Sequence, residues 1–119
     1  MKLKIERIEN AGILEKERIV LRVLTDDEIG RYIILKTKKM GGTAVSSNPS
    51  AVFWFSDKKV AKDDWVVVYT KTGVNSSAVS DTGNFTHFFY WDKNLPMWNN
   101  PDDAIVLIHS DGWTFKDSK

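Results

Sequence analysis

Apolar and polar positions alternate with a period of two along most of this chain, and little of it carries the stripe of an amphipathic helix. Leu3 and Ile5 alternate with Lys2, Lys4 and Glu6, which predicts a first strand with one buried face, ended by Asn10-Ala11-Gly12. ERIVLRVL places Ile19, Leu21 and Val23 on one face and Val20, Arg22 and Leu24 on the other, as in a strand partly covered on both sides. Thr25-Asp26-Asp27 reads as a turn, because these short side chains bond back to nearby backbone. IGRYIILK follows, with Ile33, Ile34 and Leu35 in an aliphatic run. AVFWFSD sets Phe53 and Phe55 opposite Val52 and Trp54, and DDWVVVYTK is the most strand-like segment of all. THFFYW, AIVLIHS and WTFK complete about seven or eight short strands. KTKKMGGTAVSSNPS and GVNSSAVSDTGN read as long exposed loops, since paired glycines, Asn-Pro and small polar residues do not sustain regular structure. DDEIGRYIILKTKKM is the one fair helix candidate, and its β-branched centre and Gly30 weaken it.

This series predicts an all-β fold. A β-sandwich with Greek-key connections fits the long, unequal loops better than an up-and-down barrel. With 119 residues, positions 1–119 are read as one domain able to bury its own core. Composition then narrows the chemistry. There is no cysteine, which excludes a disulfide scaffold, a thiolate metal site and a cysteine nucleophile. A net charge of +1 carries none of the basic excess of many nucleic-acid binders. The first twenty residues have no apolar leader core, and no apolar run approaches the ~20 residues that span a bilayer. The expected location is the cytoplasm, or outside the cell if a leader has been removed, with no insertion into a membrane.

Three segments resemble the lamin tail domain family, an immunoglobulin-like β-sandwich of nuclear lamins and of many bacterial proteins. ERIVLRVLTDDEIGRYIIL is similar to the family's strand, acidic turn and following strand. VFWFSDKKVAKDDWVVVYTKTG is similar to its aromatic strand, turn and Val-rich strand. YWDKNLPMWNNPDDAIVLIHSDG is similar to the bacterial type's Trp, Asn-Asn, Asp, aliphatic strand and Asp-Gly turn, and it is the most specific of the three. Ile29-Gly30-Arg31-Tyr32 stands where the family often has Leu-Ser-Gly-Trp, and Asp63-Asp64 where a Gly is common before the Val-rich strand. The resemblance implies an immunoglobulin-like sandwich of seven to eight strands and a non-catalytic structural or interaction module, with no cofactor.

The third segment also holds the candidate site: Trp91, Trp98, Asn99, Asn100 and Asp103. As a corner, Trp98 plugs one end of the sandwich while the Asn and Asp side chains satisfy turn backbone. As a ligand site, Trp91 or Trp98 stacks on a sugar ring whose hydroxyls meet Asn and Asp. A calcium site from Asp81, Asp102, Asp103 and Asp111 is a further alternative, without EF-hand spacing. The corner is the favoured reading, and no metal site is assigned.

Other chemistry is weaker. His87 and His109 are the only histidines, no Gly-x-Ser-x-Gly elbow occurs, and a hydrolytic triad would need Ser, His and an acid brought together by the fold. Gly41-Gly42 lacks any phosphate-loop spacing. Lys36, Lys38 and Lys39, with Arg31 nearby, could touch phosphates but read better as a solvated edge. Trp54, Trp65 and Trp113 read as core or inter-sheet packing. The expected function is a protein-interaction module, not an enzyme. A carbohydrate- or surface-ligand-binding domain is the alternative, with nucleic acid less favoured. An enzyme would show a polar pocket holding a histidine or paired carboxylates with shifted pKa values.

Overall fold

The computed structural model describes residues 1–119. Regular structure is almost entirely β, in sheets that do not close into a barrel. The strands are β1 (Leu3–Glu9), β2 (Arg18–Val23), β3 (Asp27–Glu28), β4 (Tyr32–Lys38), β5 (Ala51–Trp54), β6 (Lys59–Val60), β7 (Trp65–Tyr69), β8 (Ser76–Val79), β9 (Phe85–Tyr90) and β10 (Asp103–His109). One sheet has five strands in the order β1-β2-β7-β9-β8, a second has three in the order β10-β4-β5, and β3 and β6 form a short ribbon. All neighbours are antiparallel except β7 and β9, which run parallel.

The period-two pattern sets which faces meet. Ile19, Leu21 and Val23 of β2, Val66 and Val68 of β7 and Phe89 of β9 turn inward from the larger sheet. Tyr32 and Ile34 of β4 turn inward from the smaller one, with Phe53 and Phe55 against Phe89. These residues form a single core that also takes in Trp91, Met97 and Trp98. Where the chain reverses after β1, Asn10 and Gly12 hold positive φ, a conformation that Asn tolerates and Gly adopts freely.

The structure departs from the pattern in four places. Ser76–Val79, inside the second expected loop, is strand β8. It has no buried face of its own and is a strand because it pairs along β9. WTFK is not a strand: beyond His109 the chain leaves the sheet, and Trp113 and Phe115 are exposed. Asp111-Gly112 therefore makes no hairpin. The helix candidate 26–40 is instead β3, a 3-10 turn at Ile29–Arg31 and β4, its β-branched centre having gone to the sheet.

Candidate functional site

The corner at residues 91–103 is built around a buried acid that carries no motif. Glu17, at the entry to β2, is fully buried. Its carboxylate accepts hydrogen bonds from the amides of Gly12 (2.7 Å), Met97 (2.8 Å) and Trp98 (3.2 Å) and from the Thr70 hydroxyl (2.5 Å). One side chain thus ties the β1–β2 turn, the end of β7 and the 94–98 segment together. Trp91 and Trp98 are only 7% and 5% exposed, with ring centroids 6.1 Å apart, so neither offers a face to a sugar ring. Asn100 accepts from the Asp102 amide, and Asp103 accepts from the Asn100 amide and from Lys38 at 2.8 Å. Asn99 is exposed, against Gly12. The calcium alternative finds no cluster: Asp103 and Asp111 lie at opposite ends of β10, and no three His, Asp or Glu side chains gather where a metal could sit. Lys36 and Lys38 both approach Asp103, which offsets part of the basic cluster.

A second constellation carries no motif in the sequence. Asp64, just before β7, is buried, and its carboxylate accepts from the amides of Ala61 and Phe85, both at 3.0 Å. His87 of β9, also buried, places Nε2 2.8 Å from Asp64 Oδ2. Its Nδ1 is 2.9 Å from Ser77 Oγ, on the residue opposite it in β8. The Lys58 ammonium donates to the same hydroxyl. Burial acts to raise the Asp64 pKa, but the Phe85 and Ala61 amides and the His87 ring outweigh it and hold the acid below the ordinary carboxylate range. Beside this chain opens a cavity of about 730 Å³, lined by the β3–β6 ribbon and by Asp64, Phe85 and His87. Asp27 on the ribbon is also held low. Burial raises it, and the Tyr32 hydroxyl at 2.7 Å, the Glu28 amide and Lys2 more than compensate. The cavity is thus lined by a buried histidine and by two acids that their hydrogen bonds hold low.

These two acids set an acid limit on stability. A folded pKa below the unfolded value of about 3.9 means that the unfolded chain binds more protons as pH falls past that point. The stabilisation by Asp64 and Asp27 is thus complete above that pH and is lost as pH falls through the folded values. Melting temperatures between neutral pH and about pH 2.5 should fall steeply only below about pH 4, and Asp64→Asn should flatten the fall.

The outer faces of the two sheets differ. On the five-stranded sheet, Arg7 and Arg22 lie over the Trp65 ring at 5.8 and 5.6 Å, and Arg18 and Lys71 lie over Tyr69 at 5.7 and 5.2 Å. Cations cover its aromatics. On the three-stranded sheet the register aligns two apolar rows: Ile108, Ile33 and Trp54, then Val106, Leu35 and Val52. Val52 is 56% exposed, Trp54 48% and Ile108 38%. Trp54 is fixed by its Nε1–H, which donates to the Gly30 carbonyl at 2.9 Å, and Trp113 meets it edge-to-face at 5.0 Å. The expectation that Trp54, Trp65 and Trp113 are core or inter-sheet residues is corrected here: the alternation that turns Phe53 and Phe55 inward turns Trp54 out, the one that buries Val66 and Val68 leaves Trp65 outside under Arg7 and Arg22, and Trp113 lies beyond the last strand.

No family model and no curated protein matches this chain. No helix in it is long and apolar enough to cross a membrane.

Proposed function

We propose that this chain is a protein-interaction module of the lamin tail kind, an immunoglobulin-like sandwich with Greek-key crossings, which meets its partner with the outer face of the three-stranded sheet. The carrying observation is the apolar grid on that face, six side chains in two cross-strand rows with no charged residue among them. Contiguous exposed apolar surface of this kind marks interaction sites. Two open sheets around one core, with non-consecutive neighbours β2–β7 and β4–β10, support the fold reading. A protein partner is favoured over a glycan because the indoles at 91 and 98 are buried, and over nucleic acid because the net charge is +1 and two lysines of the basic cluster meet Asp103.

The test is the double variant Val52→Lys/Ile108→Lys. Each site is exposed, so the fold should lose no more than about 0.5 kcal/mol per site. Loss of an anchor in a desolvated apolar contact costs about 2 kcal/mol, so partner affinity, followed by co-purification from native cells and then by titration, should fall roughly thirtyfold or more. A folded variant that keeps every complex of the parent chain contradicts the proposal.

A further inference from the structure

The chain Asp64–His87–Ser77 lies on the opposite sheet from the apolar grid and plays no part in that reading. Its proton positions follow from elementary chemistry. An ionised Asp64 can only accept, so His87 Nε2 carries a proton and donates to it. In the neutral ring, Nδ1 is then left with a lone pair, and the Ser77 hydroxyl donates to it. Two backbone amides hold the carboxylate, which fixes the ring and its tautomer. A nucleophile within hydrogen-bond reach of a base, itself oriented by a third group, is the arrangement by which serine is activated. The Lys58 ammonium donates to Ser77 Oγ, which sets a positive charge close to the acyl carbonyl oxygen, the atom on which negative charge develops in an acyl transfer.

The geometry points to Ser77 as a nucleophile for activated acyl esters, with His87 as its general base and Asp64 as the positioning residue. Ser77 does not itself line the cavity, but its two hydrogen-bond partners His87 and Lys58 do, which places the acyl group at the cavity's edge. The cavity's walls balance four cations against four acids, with Val60 and Phe85 among them, which suits a small neutral ester better than a charged one. In the step, Ser77 Oγ bonds to the acyl carbon and its proton passes to His87 Nδ1. The ester C–O bond then breaks, and the leaving alkoxide takes that proton from the imidazolium. Water, deprotonated by the same nitrogen, releases the carboxylic acid and restores the serine.

Sequence reading could not assemble this site. Positions 64, 77 and 87 share no motif, and they meet only because β7, β9 and β8 are neighbours in that order.

The test is labelling of the intact chain by a fluorophosphonate, in which Oγ–P forms, P–F breaks and fluoride leaves as His87 takes the proton. Peptide mass spectrometry then compares Ser77 with Ser76, its neighbour on the same exposed strand. Ser77 should label at least about a hundredfold faster, the usual scale of general-base assistance. His87→Gln should bring Ser77 to the rate of Ser76. Lys58→Met should slow it by about a hundredfold through loss of the positive charge beside the phosphoryl oxygen, and an unchanged rate removes Lys58 from the site. The role of Asp64 is read separately, by nitrogen NMR. Wild type should show the Nε2–H tautomer of His87, and Asp64→Asn should shift the population toward Nδ1–H. Equal labelling of Ser77 and Ser76 in the folded wild-type chain overturns the inference, whatever the variants do. So does a Ser77 preference that survives His87→Gln.

Discussion

Glu17→Leu lowers the melting temperature by roughly 10–20 °C, because leaving several buried donors unpaired, at about 1–3 kcal/mol each, costs about 3–5 kcal/mol in all after relaxation, and each kcal/mol shifts a chain of this size by about 3–4 °C. Leucine has nearly the right volume, so the loss is not one of packing. It leaves the amides of Gly12, Met97 and Trp98 and the hydroxyl of Thr70 without an acceptor inside the protein. An unmade buried hydrogen bond is far more costly than a made one is stabilising. Glu17→Gln keeps one carbonyl oxygen but turns an amide NH₂ toward donors, so it should fall between the two. Thermal unfolding followed by circular dichroism measures all three. A Glu17→Leu chain that melts within about 3 °C of wild type would mean that the corner is held by its indoles and not by the acid.

The second large effect separates the two faces of one sheet. Ile34 is fully buried and points into the core, while Val52 on the adjoining strand points out. Ile34→Ala should cost about 2–5 kcal/mol through lost transfer energy and the cavity left behind. Val52→Ala should stay within about 0.5 kcal/mol. Denaturant midpoints at unchanged slope give both values. Similar losses at the two sites would mean that the outer face is covered in the isolated chain, and that it is not a docking surface.

Much of the fold was legible because the larger strands obey simple alternation. Ile19-Leu21-Val23 and Phe53-Phe55 chose their faces in the sequence and keep them in the structure. Strand β8 was not legible, since Ser76-Ser77-Ala78-Val79 has no apolar periodicity and owes its extension to pairing with β9. WTFK failed in the other direction: it alternates like a strand, but after Ser110 bonds to Arg31 the chain leaves the sheet. Glu17 was hidden in EKER, where nothing distinguishes it from Glu15 beside it. Only the fold tells which acid is enclosed. For Asp64 and His87 a partial signal existed. Asp64 stands at the mouth of the Val-rich strand, and THFFYW puts His87 on the same face as the buried Phe89 and Trp91. A histidine on the inward face needs partners for both ring nitrogens. The sequence did not say that one would be an acid and the other a serine.

The central claim is that the three-stranded sheet presents its apolar grid to a partner protein. A photoreactive residue at position 52, compared in native cells with the same residue at position 86 on the outer face of the five-stranded sheet, tests it most directly. The account predicts a discrete protein adduct from position 52, absent from position 86 and abolished when Ile108→Lys is added. No adduct from position 52, or the same adducts from both positions, would contradict it.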